Sequence, residues 1–420
     1  MAKQTTSAAA DKSKDNGTAK EKKTENYNEP QQIKVERYLN DNYDFRWNTV
    51  LKDCFYKKKG EDDSCYQQIS VPKLWRELQR RGFKYSPTNL EYTMGSDFAP
   101  QYDPIREYFE SLPKWDGTTD HIRKLCSHIV LVDETDEEIE RLNTMFQKWL
   151  VRCIRCALGG RLNREVIMFK SDKQRLGKTE FFRYLTRGII LCVYYMENPE
   201  IGNKDALISL TENIIINFDE YDKYLSDGDL PKMKSYISQD SPKVRVPYGR
   251  KQEKIKRICS FVATTNIPDF LRDETGNTRF ITFDIEGIDW REYTKMDVNL
   301  IWGQAYHLYQ LSLSGKYNCE MTDSEVQANN RNNLKYFRHT SEFELIQKIF
   351  EPSDNPADFM TTTDIADYLH NNTRYKSITT NAVGRALTAQ GYKKVHSKTD
   401  NAIQGYQIRE KNRTTELFKY

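Results

Sequence analysis

Apolar positions along the chain change period three times, and each change predicts a different kind of structure. "PIREYFESLPKW" opens with a proline suited to a first helical turn, and "EEIERLNTMFQKWLVRCIRCAL" carries apolar residues at intervals of three and four. These runs predict a mainly α-helical N-terminal domain over residues 31–160. Between 161 and 338, short apolar runs alternate with helical segments: "EVIMF", "GIILCVYY", "NIIINFDE", "CSFVATTN" and "RFITFDI". That alternation is the signature of buried parallel strands, and it predicts an α/β core. Helical periodicity returns in "DWREYTKMDVNLIWGQAYHLYQLSL". Over 339–420, "SEFELIQKIF", "TTTDIADYLHNN" and "TTNAVGRALTAQGY" read as three short helices, and "KKVHSKTDNAIQGYQIRE" as a two-stranded hairpin. Three helices closed by a hairpin predict a winged-helix-like domain, whose third helix can enter a major groove.

Composition adds limits. Residues 1–30 are polar and charged with almost no large apolar side chains, so a disordered leader is expected. The 420 residues hold 64 basic and 61 acidic side chains, so attraction to nucleic acid has to come from local patches. The eight cysteines are scattered, with no signal peptide before them, and this predicts reduced thiols in a cytoplasmic protein. Cys153-x-x-Cys156 lies in an apolar helical pattern and reads as buried helix cysteines, since a zinc site needs further ligands nearby. No apolar run is long enough to span a membrane.

The candidate chemistry begins at "FKSDKQRLGKTEF", residues 169–181. Its end fits the phosphate-binding pattern G-x-x-x-x-G-K-[ST] through Gly177, Lys178 and Thr179, while Asp172 replaces the first glycine. "VIMF" supplies the strand before the loop and "KTEFFRYL" the helix after it. In that setting Lys178 would reach phosphates and Thr179 would offer its hydroxyl to Mg²⁺, although the short match "LGKT" also arises by chance. Asp172 is expected to mark an altered backbone at the start of the loop.

About 40 residues on, the apolar run of "NIIINFDEYD" ends in Asp219 and Glu220. Acidic residues there suit a metal-holding aspartate and a glutamate that activates water, or a solvated acidic turn. "FVATTNIPDF" puts Asn266 at the end of another run, where it serves a phosphate contact or a turn before proline. "DETGNTRFITF" places Arg279 before a final strand; it and the weaker candidate Arg272 read as charges donated across a subunit boundary, or as surface charges. Between these lies "MKSYISQDSPKVRVPYGRKQEKIKRICS", with Tyr236, Arg257 and a projecting basic hairpin that includes Lys243, Arg245, Tyr248, Arg250, Lys251 and Lys254. Cations that track a backbone, with interleaved aromatics, suit single-stranded DNA, or they form a solvated charged face.

The order "KQRLGKT", "INFDEYD", "VPYGR", "ATTN", "TGNTRF", with "YDFRWN", "YDPIREYFESLPKWDG", "KWLVR" and "IWGQAY" around it, resembles superfamily three helicases and, more closely, the virulence-associated E family of phages and mobile elements. The resemblance covers roughly residues 30–340. It implies a P-loop AAA+-like ATPase core, ATP and Mg²⁺ as cofactors, a hexameric ring as homo-oligomer, and DNA helicase activity in element replication. It also carries Gln174 over as a nucleotide-loop residue, while Asp172 and Arg175 depart from the family's glycines. No primase-like acidic constellation occurs in residues 1–150, so priming is expected from a separate protein. Two other readings stand beside this one. One is an ATP-controlled initiator or regulator that binds duplex DNA through its C-terminal domain, where Lys393, Lys394, His396 and Lys398 either touch phosphates from the wing or belong to a solvated hairpin. The other is a monomeric small-molecule or polynucleotide kinase.

Overall fold

The computed structural model describes residues 29–188, 191–203, 206–226, 228–245, 252–271, 277–337, 340–375, 377–397 and 402–411. The leader expected over 1–30 lies almost wholly outside them. The chain divides into two compact units, residues 1–46 with 54–100, and 47–53 with 101–420.

The first unit is built from α1 (Gln31–Asn42), β1 (Tyr43–Asn48), β2 (Asp53–Lys58), β3 (Gln67–Gln68), α2 (Val71–Arg80) and α3 (Pro87–Met94), with strand order β3-β2-β1. Within residues 31–160, expected to be mainly helical, a small sheet also stands between the helices, which the sequence reading did not anticipate. In "YDFRWN" Tyr43 and Phe45 are buried and Asp44 and Arg46 less so, the period-two pattern of a strand rather than a helix. Val71, Leu74 and Leu78 form the buried stripe of α2.

The second unit opens with β4 (Gln101–Tyr102), paired in parallel with Trp47 and Asn48, then α4 (Pro104–Ser111), α5 (His121–Cys126), β5 (Ile129–Leu131) and α6 (Asp136–Ala157). Side-chain caps from Asp103, Asp120 and Thr135 start the three helices. The second half of α6 is buried almost all round: Phe146, Trp149, Leu150 and Ile154 share one core with sheet residues Ile167, Phe169, Ile281 and Phe283. At about 1.5–3 kcal/mol for each large apolar side chain buried, this ties residues 104–157 to the sheet rather than to the first unit.

The sheet strands follow as β6 (Val166–Lys170), then α7 (Lys178–Tyr184), β7 (Tyr195–Glu197), α8 (Ala206–Glu212), β8 (Ile215–Phe218), α9 (Leu230–Ser238), β9 (Lys243–Arg245), β10 (Gln252–Lys254), β11 (Ser260–Thr265) and β12 (Phe280–Ile288). The order is β5-β12-β6-β11-β8-β7. All neighbours from β12 to β7 pair in parallel, and β5 adds an antiparallel edge. "GIILCVYY" was expected as a strand; instead Leu191–Tyr194 makes a 3-10 turn that buries Leu191 and Tyr194, and the strand starts at Tyr195. β9 and β10 form a separate two-stranded hairpin.

Helices α10 (Trp290–Tyr293), α11 (Val298–Leu313) and α12 (Asp323–Asn333) return to the core. Beyond them lie α13 (Ser341–Ile349), β13 (Phe350–Pro352), β14 (Phe359–Met360), α14 (Thr362–Asn372), α15 (Thr380–Ala389), β15 (Lys394–His396) and β16 (Gln404–Glu410). β15 pairs antiparallel with β16. These elements share an apolar core of their own around Ile346, Ile365, Leu369, Val383, Leu387 and Tyr406.

Candidate functional site

In a parallel sheet the loops at the carboxyl ends of the strands gather on one edge, and side chains from distant segments meet there. β6, β8 and β11 run side by side in this way, and their C-terminal loops carry Lys178, Asp219 and Asn266.

The loop after β6 is tied down at its start, where the Ser171 N–H donates to the Thr265 carbonyl at 3.1 Å. It ends in a left-handed turn at Gly177, φ 78°, a conformation that only glycine adopts without cost. Arg175 is left-handed too, at φ 61°. Asp172 is not among the left-handed residues, so the expected backbone departure falls on Arg175, where the family's second glycine would stand. Asp172 is exposed and ion-paired with Lys170 at 2.8 Å.

Lys178 is buried, and its ammonium donates to Asn266 Oδ1 at 2.5 Å and to the Thr265 carbonyl at 3.1 Å. Burial pulls its pKa down to about 8, against the opposing pull of Asp219. Neither hydrogen-bond partner carries a charge, so this cation sits in a partly dry site beside neutral acceptors. The Thr179 hydroxyl donates to Asp219 Oδ1, and the Thr264 hydroxyl donates to the same oxygen at 2.7 Å. Asp219 Oδ2 has no protein donor among the described residues. Glu220 is left-handed at φ 52°, and its N–H donates to Thr264 Oγ1 at 3.1 Å. Its half-exposed carboxylate pairs with Lys223 at 2.6 Å.

Lys178–Asn266 and Thr179–Asp219 are thus two directly hydrogen-bonded pairs made by consecutive residues of α7, and the Glu220 backbone is linked to Asp219 through Thr264. Gln174 is exposed on the loop. Sequence reasoning did not single out Thr264, the first threonine of "ATTN", whose hydroxyl bonds the Asp219 carboxylate and the Glu220 backbone N–H. It also missed Lys170, which bridges Asp172 and Asp284 at 2.8 and 3.4 Å. Asp284 in turn accepts from the Tyr336 hydroxyl at 2.8 Å.

Other expected site residues lie elsewhere. Arg279 immediately precedes β12, and Phe280 pairs with Val166 at the start of β6, so Arg279 sits at the amino end of the sheet. It is separated from its own Lys178 by the length of β6, about 17 Å at 3.3 Å per residue, and donates to Ser238 Oγ at 3.1 Å. The basic hairpin leaves and rejoins the core at that same end, before β11. Lys243 and Lys254 are exposed and directly opposite one another across its strands, and Arg245 is exposed opposite Gln252. Tyr248, Arg250, Lys251, Arg272 and Lys398 lie outside the described residues.

Two residues counted with the basic segment are structural instead. Arg257 is fully buried; its guanidinium donates to the carbonyls of Ile237 and Asn163 and lies 4.9 Å from the Phe261 ring centroid. Tyr236 is buried against Phe261, with its hydroxyl 2.6 Å from that of Ser209, so it offers no stacking platform. Cys153 and Cys156 are buried in α6, the latter donating to the carbonyl of Cys259 at 3.5 Å. Among the described residues no helix is long and apolar enough to cross a membrane.

Residues 109–336 match the virulence-associated protein E-like domain. Among solved structures, the C-terminal region of NrS-1 superposes with a TM-score of 0.48 at 13% identity, covering 89% of this chain and 98% of that one. The SCCmec type IV Cch, described as an active helicase, gives 0.34 at 10% identity over 87% and 92%. A JCV helicase bound to a small molecule gives 0.28 at 10% identity over 65% and 75%. No curated protein matches the chain.

Proposed function

The chain belongs to the virulence-associated protein E-like domain family, and on that premise we propose that it is an ATP-dependent DNA helicase. It acts as a ring of identical subunits that moves on single-stranded DNA during replication of a phage or mobile element. The observation that carries this reading is the convergence of Lys178, Thr179, Asp219 and Asn266 on one carboxyl edge of a parallel sheet.

The donor set fits a nucleoside triphosphate and Mg²⁺. A desolvated ammonium with only neutral acceptors gains from an anion beside it, and Gly177 leaves the loop backbone free of a side chain where it turns. A threonine hydroxyl and a carboxylate oxygen are the hard oxygen donors that Mg²⁺ takes. ATP with Mg²⁺ supplies the phosphoanhydride whose hydrolysis drives the motor. Toward it, Lys178 holds phosphate oxygens, Asn266 holds Lys178 in place, Thr179 and Asp219 hold the metal, and Glu220 orients water once it leaves Lys223. Lys243, Arg245 and Lys254 support contact with a DNA backbone, together with Tyr248, Arg250 and Lys251. Residues 339–420 are proposed as a winged-helix-like domain that touches duplex DNA.

The test is DNA-stimulated ATP turnover with a strand-displacement assay. Lys178→Ala and Glu220→Gln are expected to remove both activities, and wild-type turnover in both variants would refute the site. The helix trio and hairpin after residue 340 favour one second reading, an initiator that binds duplex and unwinds nothing. Tight binding to an origin-like duplex without strand displacement would establish it.

A further inference from the structure

Helix α2 carries a cationic face that the nucleotide site does not use. Val71, Leu74 and Leu78 are its buried positions. At about 100° per residue, Lys73, Arg76 and Arg80 fall on the opposite side of the helix. All three are exposed, as are Arg81 and Lys84 just beyond the helix end. Lys73, Arg76, Arg80 and Lys84 have no carboxylate partner among the described residues.

The one acid on the helix is accounted for separately. Glu77 accepts from the hydroxyls of Tyr38 and Tyr43, both at 2.7 Å, so its carboxylate is turned to the unit's own tyrosines and pairs with none of the neighbouring cations. Like charges one turn apart on an isolated helix repel, and a sequence that places three of them on one face without interspersed acids gives up the usual i,i+4 support. An anionic partner reverses the sign of that cost.

We infer that this face of α2 binds the phosphate backbone of duplex DNA. The aromatic residues around it argue for backbone contact over base stacking. Trp75 is half-buried with its Nε1–H donated to the Tyr85 carbonyl at 3.0 Å, and Phe83 packs on Tyr38 at 5.2 Å between centroids. Single-strand binding relies on exposed rings as platforms, and this helix offers cations alone. Duplex DNA carries one negative charge per about 1.7 Å of axis, so a helix of about 15 Å with cations along one side meets several phosphates at once without reading sequence. The surface belongs to the first unit and does not depend on the nucleotide-site reading.

The experiment uses the full-length chain without nucleotide. Binding to a random-sequence 30-base-pair duplex is followed by fluorescence anisotropy across a salt series, for the wild type and for Lys73→Ala/Arg76→Ala/Arg80→Ala. Each phosphate contact contributes about 0.9 to the slope of log affinity against log salt, so the triple variant should flatten the slope by about 2.7 and weaken binding tenfold or more near 0.1 M salt. Each single variant should remove about a third of that slope change, and the charge-conserving Lys73→Arg/Arg76→Lys/Arg80→Lys should restore it. DNA-free ATP turnover should not move, and the melting temperature should not fall. An unchanged slope in the triple variant would overturn the proposal. So would a loss confined to single-stranded DNA, or a loss seen only on vesicles containing anionic phosphatidylserine.

Discussion

The ammonium of Lys178 lies 2.5 Å from Oδ1 of Asn266, joining the loop after β6 to the end of β11. The pair fixes where the cation points, because a lysine side chain otherwise has about 2 kcal/mol of rotamer freedom to lose when it binds. Asn266→Ala is therefore expected to lower ATP turnover about 10- to 100-fold, with a smaller loss of nucleotide affinity. Lys178→Ala should lose affinity and turnover together. Steady-state kinetics with a separate nucleotide-binding titration resolves the two patterns. Equal behaviour of the two variants would show that Asn266 does more than position Lys178.

The Lys178 pKa near 8 gives a pH signature. Phosphate beside the amine favours its charged form, so above about pH 8 nucleotide binding must draw a proton onto it. Affinity should then fall by up to tenfold per pH unit. Calorimetric binding in buffers of different ionisation enthalpy should show proton uptake at pH 8.5 and little at pH 6.5, and Lys178→Met should show neither. The stability effect has the opposite sense. The folded-state value lies below the ordinary 10.5, so between about 8 and 10.5 the unfolded chain holds more protons, and this group's contribution to stability rises with pH.

Arg175 carries the backbone strain of the loop, at φ 61°. Relieving it with Arg175→Gly should stabilise the protein by about 1 kcal/mol, or about 2–4 °C in a domain of this size. Asp172→Gly should bring no such gain, because Asp172 is not left-handed and its ion pair with Lys170 is lost. Thermal melts of the two variants side by side test this.

Arg257 anchors the root of the basic hairpin through two backbone carbonyls. Arg257→Ala leaves both buried and unpaired, at about 1–3 kcal/mol each. A loss of about 3 kcal/mol in a urea melt is the expected result, and a loss below 1 kcal/mol would mean that water replaces the guanidinium.

Four of the five strand runs, and the polar loops that follow β6, β8 and β11, were legible in the sequence, because a buried parallel strand is a short apolar run and its C-terminal loop carries polar side chains. The sheet in residues 43–68 was not, since its strands are short and half-exposed and the period-two signal spans only six residues in β1. Arg257 was read with its neighbours as a surface cation. Sequence gives charge, and only the fold reveals the carbonyls of Ile237 and Asn163 that surround it. Left-handed backbone at Arg175 was equally hidden: the family comparison pointed to two missing glycines, and nothing in the residue types says which position carries the strain.

Arg279 lies at the amino end of the sheet while Lys178 lies at the carboxyl end, so the two cannot serve the same nucleotide within one subunit. If Arg279 stabilises the phosphoryl group in trans, a working site needs an intact Lys178 in one subunit and an intact Arg279 in its neighbour. Arg279→Ala alone should cut ATP turnover by about 10³-fold or more while leaving nucleotide affinity within severalfold of wild type. Mixed with Lys178→Ala at equal ratio under conditions that exchange subunits, the two inactive proteins should recover about a quarter of wild-type turnover, since each requirement is met by half of the subunits. Lys178→Ala mixed with the double variant Lys178→Ala/Arg279→Ala should recover nothing. Recovery only in the first mixture identifies a shared site, and no recovery in either would return Arg279 to the role of a surface residue bonded to Ser238.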